Sequence, residues 1–499
     1  MVENTEDVSG KTAELLETGG KVVEVNIVDE GDVHDAAEAI EGKPDPLSTN
    51  PHNWPRSVKW RAVAFASMYT FISPMSSSMV APALPSMAGD LGLKQTIDVE
   101  MALSIFVLAY AVGPLVLAPL SEIYGRYKVL QASLCVFVIF NAACGFAQNE
   151  TQILIFRFLT GLGGSAPVAL SGSIVSDCFS VSEMGAAMSY YILGVILSPA
   201  VGPILGGFAT QGLSWRWLFY IVSIVAGILA LVGTFLLPET YRPYLEAQAR
   251  RAALSKDPTL DMGNHKQPSF GEIMRTSLVR PFILLGTQPI TQVISLIMAF
   301  VYGIMYIVLS TFSALFVVKY GQSTQISSLN YISLGIGFFI GNRLSGSLID
   351  YSSAYLQKRF NTPHKPEYRL PVCIPAAVAL PIGLFIYGWT AENGAHWFWP
   401  NFGILLFCAS VNITFQALTV YTVDVYRVYA ASALAAVGFL RSIAGFGFPL
   451  FAAGMYERFG YGWGNSILAF VGIGLGIPAP ILLYYFGEKL RAKSTFASG

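Results

Sequence analysis

The sequence predicts an all-α polytopic membrane protein built as two six-helix bundles around a central cavity. Three observations predict it. Only 12% of the 499 residues are charged while 54% are hydrophobic, against roughly 25% charged in a soluble domain. The apolar residues gather into twelve stretches long enough to cross a bilayer core, which takes about 20 residues per helix. A polar stretch from Pro238 to Arg280 divides them six and six.

Taken in order, residues 1–55 hold 13 Asp or Glu against three Lys and almost no aromatics, a composition that predicts a disordered acidic tail. The tail has no apolar core of a signal peptide, so the first span is expected to direct insertion. The first bundle occupies 56–237, with spans near 61–84, 101–120, 128–147, 152–176, 187–209 and 216–237. Residues 238–280 form a linker loop. The second bundle occupies 281–487, with spans near 282–316, 326–349, 370–390, 397–421, 432–454 and 463–486. The seventh is long enough to be tilted or broken. Residues 488–499 are a second tail.

Lys and Arg placement sets the orientation. With the N-terminus in the cytoplasm, the inner loops between spans carry fourteen basic residues, seven of them in the central loop, and the outer loops carry only Lys94, Arg216, Lys319 and Arg458. Both tails and the central loop are therefore expected in the cytoplasm.

Several function classes are excluded. The five cysteines, Cys135, Cys144, Cys178, Cys373 and Cys408, sit in apolar segments without CxxC or histidine at ligand spacing, and read as small apolar fillers. No metal or cofactor is expected. The histidines all lie in predicted loops or the tail, so no enzyme site forms at membrane depth. No GxxxxGK[ST] loop marks an ATP-driven pump. No basic patch marks a nucleic-acid surface. The sequon at Asn149 falls in a loop expected to lie too close to the bilayer for glycosylation.

What remains is transport, and five groups of residues carry it. Gly113 to Leu130, GPLVLAPLSEIYGRYKVL, ends the second span; Gly113 and Pro114 open the backbone, while Glu122, Gly125, Arg126 and Lys128 place both charge signs in one tight turn, a candidate conformational gate. Arg157 lies several residues inside the fourth span, where a charge is costly and faces the protein interior. Gly161 and Gly164 share its face and let another helix approach. The fifth span reads GVILSPAVGPILGG, with a small-residue ladder of Gly194, Ser198, Gly202 and Gly206 beside Pro199, Pro203 and Gly207. Polar and aromatic stripes suit an amphiphilic ligand or interhelical hydrogen bonding: Tyr69, Ser73 and Ser76 in the first span, Gln288, Gln292, Ser295, Tyr302 and Tyr306 in the seventh, Asn412 and Gln416 in the tenth. Arg441 is a second deep arginine, and Asp177 and Asp424 sit at the inner ends of their helices.

These residues resemble the major facilitator superfamily, and within it the fungal drug:proton antiporters with twelve spans. The turn at Gly113–Leu130 is similar to the signature between the second and third helices, Arg157–Gly164 to the fourth-helix arginine motif, and Gly194–Gly207 to the fifth-helix antiporter motif. NPHNWP at 50–55, WRWLFY at 215–220, LPETY at 237–241 and the SALAAVGFLRS run at 432–442 extend the resemblance from Asn50 to about Ser494. It departs at Glu122, where many members carry aspartate, and at SVSEMG after the fourth span, where a basic residue is common.

The resemblance implies proton-driven efflux of drugs, toxins or secondary metabolites by a monomer at the plasma membrane, its partners being the substrate, protons and the lipid bilayer. The alternative is a proton-coupled importer or facilitator on the same fold, since fold does not settle direction. Candidate proton carriers are Glu122, Asp177 and Asp424. The first span contains no acid.

Overall fold

The computed structural model describes residues 50–180, 183–256, 270–363, 365–494 and 496. The expected disordered tail lies outside them except for 50–55, which are ordered. Asn50 caps a 3-10 turn, Pro51–Asn53, by accepting from His52 N, and Trp54 behind it is 4% exposed.

Among the described residues twelve long helices follow. The first six are α1 (Arg56–Ser78), α2 (Thr96–Tyr124), α3 (Arg126–Gly145), α4 (Glu150–Cys178), α5 (Met184–Gly212) and α6 (Arg216–Leu236). Then come α7 (Pro289–Tyr320), α8 (Ile332–Phe360), α9 (Cys373–Glu392) and α10 (Phe398–Tyr426). A helical run Ala430–Gly476 is interrupted at Gly460, whose φ is +70°, giving α11 over 430–459 and α12 over 461–476, the latter continued by Pro478–Ala492. By length and apolarity nine helical stretches qualify as membrane spans among the described residues; one of them, Phe398–Ala492, contains α10 to α12.

Helix ends lie where local chemistry puts them. Gln95 and Asp98 form a reciprocal capping box that starts α2 at Thr96, five residues before the hydrophobic stretch begins. Gly125, at φ +92°, separates α2 from α3. Asn149 is spent as the cap of α4, accepting from Gln152 N at 3.0 Å. The expected seventh span from 282 is broken. A separate helix, Phe270–Thr287, precedes α7, because Pro289 brings no N–H and takes the first-turn position behind Gln288. The linker is also partly helical, over Arg242–Lys256. The eighth span shifts toward the C-terminus, since Ser323 caps a separate short helix, Thr324–Leu329, ahead of α8.

Helices α1 to α6 pack among themselves, as do α7 to α12, and the two bundles meet along a seam. There α2 touches α11, α5 touches Thr324–Leu329 and α8, and α7 touches α2. We name the two ends of the seam by Asn149 and Arg126.

Candidate functional site

At half depth the seam is built from aromatics around a guanidinium. Arg441 lies eleven residues into α11, about 16 Å along its axis, and is partly buried. Its guanidinium carbon stands 4.9 Å from the Tyr302 ring centroid and 5.9 Å from that of Phe415. Tyr302 in turn packs on Tyr306 at 5.0 Å and on Phe415 at 6.0 Å. Gly445, one turn beyond Arg441, admits this approach, because a Cβ there would meet Tyr302 at 2.8 Å and Val107 of α2 at 3.0 Å. Where an open central cavity is expected, α2, α7 and α11 are thus in contact. Arg441 forms no ion pair among the described residues, and its buried Nε has no hydrogen-bond partner there.

Arg157 is the opposite case. It is 0% exposed, which rules out snorkelling. Its Nε donates to Ala102 O at 3.1 Å, Nη1 to Ser76 O at 3.1 Å, and Nη2 to Ser77 O at 3.2 Å and Leu103 O at 3.4 Å. Its face covers the Phe106 ring at 4.8 Å. The side chain therefore clamps the end of α1 to the start of α2 through four backbone carbonyls. Gly161 and Gly164 serve the same packing, one against Phe106 and Ala109 of α2, the other against Ser73 and Phe106.

The expected substrate stripes divide. Tyr302 and Tyr306 reach the seam, and Tyr306 faces Ser77 across it. The others make their contacts elsewhere. The Tyr69 hydroxyl donates to Leu229 O of α6 at 3.0 Å and accepts from Gln131 of α3 at 3.3 Å, inside the first bundle. Ser73 donates to Gly164 O at 2.6 Å and pairs with the Tyr110 hydroxyl at 2.5 Å. Gln288 caps α7 and accepts from Ser494 Oγ at 2.5 Å, while Gln292 is exposed and donates to Gly286 O at 3.1 Å. Gln416 donates to Asn342 Oδ1 of α8 at 3.1 Å, and Asn412 packs on Gly341 of α8. These six residues thus make contacts between neighbouring segments. A cavity of about 750 Å³ does exist, but on the flank between α1, α5 and α6, lined by apolar side chains such as Met68, Phe71, Leu205 and Val225.

The fifth-helix glycines face two ways. Gly194 abuts Ser67 O, Gly202 abuts Met75 O and Ser78, and Gly206 abuts Met79 O, all on or just past α1. Gly207 faces the other bundle, at Ser328 and Thr324 O. The helix runs unbroken through Pro199 and Pro203. Together with the Gln325 N–H donating to Gln211 Oε1 at 3.3 Å, these contacts close the Asn149 end of the seam.

The sequence matches the Major Facilitator Superfamily model over residues 66–449. The chain belongs to the Major Facilitator Superfamily. It is 42% identical over 462 residues to the efflux pump vrtL of Penicillium aethiopicum, covering 92% of this chain and 91% of that protein. It is 41% identical over 469 residues to the efflux pump radE of Floropilus chiversii, covering 91% and 85%. The MFS-type transporter oryF of Aspergillus oryzae is 38% identical over 444 residues, covering 89% and 92%. Among solved structures, the xylose transporter XylE from E. coli, in a partially occluded inward-open conformation, superposes with a TM-score of 0.64 at 15% identity, covering 86% of this chain and 98% of that one. At that identity the likeness speaks for the fold alone.

In this facilitator the turn at Gly113–Leu130 forms a charge network other than the one its spacing suggests. Gly113 packs on Ser165 of α4. Glu122 is exposed. The partner of Arg126 is Asp177, with Nε at 3.3 Å from Oδ2, and Arg126 Nη1 donates to Ser121 Oγ at 2.9 Å. Glu239, which the sequence reading did not single out, holds the N-terminus of α3. Its carboxylate accepts from Arg126 N at 2.9 Å, Tyr127 N at 3.1 Å, and Thr240 N and Tyr241 N at 3.0 Å each. Burial pushes its carboxyl above the usual carboxylate range, against these four N–H groups. A Cβ on Gly125 would strike that carboxylate. The second bundle repeats the device: Arg369 donates to Asp424 and stands 3.7 Å from Asp350.

Two of the three acids named as proton carriers, Asp177 and Asp424, are thus bound to arginines, and Glu122 sits at the surface. Two buried acids were missed. Glu367, just ahead of α9, is 3% exposed and stands 3.4 Å from the Arg491 guanidinium. Glu100, on the second turn of α2, is 7% exposed, and its Oε2 has no partner among the described residues. Its signal was the capping box, which places it inside the helix; hydropathy alone leaves it just outside. Among the described residues no cluster of His, Cys, Asp and Glu could hold a metal ion.

Proposed function

We propose that the chain exports amphiphilic small organic molecules, whether drugs, toxins or fungal secondary metabolites, by alternating access driven by proton antiport. The observation that carries it is Arg441, an unpaired guanidinium between two aromatic rings at half depth of the seam. A partly buried cation with no ion pair among the described residues is stabilised by a ligand that brings the missing charge, and flanking rings suit a planar apolar body. The preferred cargo is therefore aromatic with an acidic group. The relatives named efflux pumps support the outward direction. In this reading 56–237 and 281–487 are the moving bodies and 238–280 is their linker. The Arg126 end and both termini are cytoplasmic, and the protein works as a monomer in the plasma membrane.

The test is accumulation of fluorescent amphiphiles, neutral and acidic, in pump-deficient yeast expressing the chain, with and without a protonophore. Lower accumulation that recovers with the protonophore is expected. Gradient-dependent higher accumulation would establish import.

A further inference from the structure

The helix Phe270–Thr287, ahead of α7, carries a mainly apolar stripe between two guanidinium groups. Thr276, Val279 and Ile283 follow one another at spacings of three and four, so they share one face. Arg275 and Arg280 flank that face, each about 70° around the axis from its centre. These five residues, with Phe496 from the C-terminal tail, line a cavity of about 650 Å³. Its far wall is fixed by the tail. Ser494 Oγ donates to Gln288 Oε1 at 2.5 Å, and Phe496 N donates to Ser494 Oγ at 3.2 Å. That turn lays Phe496 on the Tyr429 ring, with centroids 5.3 Å apart. The same ring stands 5.1 Å from the Arg280 guanidinium carbon.

Both cations are free to take a ligand. Neither Arg275 nor Arg280 has an ion pair or a hydrogen bond among the described residues. The acids of the neighbouring segments are engaged elsewhere: Asp424 by Arg369, Glu488 by Lys365 at 2.9 Å, and Glu367 by Arg491 at 3.4 Å. The helix itself holds one acid in sequence, Glu272, against the two arginines. A guanidinium against a ring spends none of its five N–H donors, and their fork matches two oxygens of a phosphate.

The apolar surface beside these cations tells a lipid from a soluble anion. Val279, Phe282 and Ile283 are 42–46% exposed and lie on the half of the helix nearer α7, while Arg275 lies toward its polar start. In a chain that spans a bilayer, an exposed apolar face beside a basic group suits the boundary between headgroups and acyl chains. A free phosphate would use the arginines and leave the stripe bare. An amphiphile with a phosphate head covers both.

We infer that this cavity binds one anionic phospholipid, with its phosphate between Arg275 and Arg280 and an acyl chain along Val279 and Ile283. The bound lipid joins the helix ahead of α7, the turn before α11 and the tail at the Arg126 end of the seam. Because that helix packs on both α2 and α11, the site sits where the two bundles meet. The inference depends neither on export nor on its direction.

The test is native mass spectrometry of the full chain in detergent, titrated with dioleoylphosphatidylserine and, separately, with dioleoylphosphatidylcholine. The first phosphatidylserine is expected to bind about thirtyfold more tightly than the first phosphatidylcholine, about fivefold for each arginine. Replacing both arginines, Arg275→Gln with Arg280→Gln, should bring phosphatidylserine down to the phosphatidylcholine level. Replacing two exposed lysines near the tail, Lys489→Gln with Lys493→Gln, should leave the preference in place. Equal affinities in the parent, or a preference that survives loss of both arginines, overturns the inference. So does a preference lost with the lysines alone. Displacement of the lipid by millimolar inorganic phosphate would make this a site for free anions and sink the lipid assignment. Should the arginine variant fail to fold, Val279→Asp, which sets a negative charge on the exposed stripe, is expected to abolish the preference equally, and its persistence there overturns the inference.

Discussion

Replacing Arg157 by alanine should unfasten the first bundle before it affects any transport step. The guanidinium satisfies four backbone carbonyls, two at the end of α1 and two in the first turns of α2. Alanine removes all four bonds in a site from which water is excluded; Ala102 O and Leu103 O keep their helical N–H partners, while Ser76 O and Ser77 O, in the last turn of α1, lose the donor the side chain supplied. At about 0.6 kcal/mol per bond, the mean for hydrogen bonds within membranes, the loss is about 2.4 kcal/mol. At about 1.5 kcal/mol per bond, the lower value for charged donors, it reaches about 6 kcal/mol. The contact with Phe106 and the void left behind add to either figure. Arg157→Lys keeps the charge but presents a single ammonium with three donors, so it restores only part. The assay is thermal unfolding of the solubilised protein followed by size-exclusion fluorescence, with transport measured in parallel. Alanine should melt well below the parent, lysine between the two. An alanine variant that melts with the parent would refute the clamp, whatever its transport.

Arg441→Ala makes the contrasting case. With no hydrogen bonds to lose among the described residues it should melt far closer to the parent than Arg157→Ala, losing two internal cation–π contacts at about 0.5–1 kcal/mol each, yet weaken transport of acidic aromatic cargo about tenfold, the equivalent of about 1.4 kcal/mol of lost charge pairing; the check is a comparison of KM for acidic and neutral cargo. Gly207→Val should prevent closure of the Asn149 end, since the added side chain meets Ser328 and Thr324 O, and spin labels at 211 and 325 should report an open end together with lost transport. Glu239→Gln tests the cap on α3. Because burial raises the Glu239 carboxyl in the folded state, its contribution to stability is full below the ordinary value of about 4.5 and is lost as pH rises through the raised value. The glutamine variant should flatten that part of the melting profile between about pH 4 and about pH 8, and an unchanged profile would refute the assignment. Tyr69→Phe should cost about 0.6 kcal/mol through its bond to Leu229 O and leave the substrate range untouched; an altered range would return Tyr69 to the ligand site.

Much of this arrangement was legible in the sequence. The charge deficit and the length of the apolar stretches gave the architecture, because a bilayer admits few alternatives to closed helices. The cost of a charge at depth placed Arg157 inside the protein, and the glycine spacings of α4 and α5 marked surfaces of close approach. Sequence period tells which residues share a helix face, however, not which neighbour that face meets. The stripe through Tyr69 and Ser73 turned out to face α3, α4 and α6. Charge spacing likewise suggested Glu122 beside Arg126, whereas the acids that engage Arg126 come from the end of α4 and from the segment after α6, 51 and 113 residues away in sequence. Glu100 was hidden by a ruler that reads hydrophobicity, when a polar capping box decides where the helix begins.

The central claim is proton-driven export, and the most direct measurement is flux in proteoliposomes of the purified chain, loaded with an acidic aromatic dye and given a pH gradient of either sign. The account predicts that protons flowing inward through the transporter drive dye out against its own gradient, that reversing the gradient reverses the dye flux, and that a protonophore abolishes both. Dye and proton fluxes running in the same direction would contradict it.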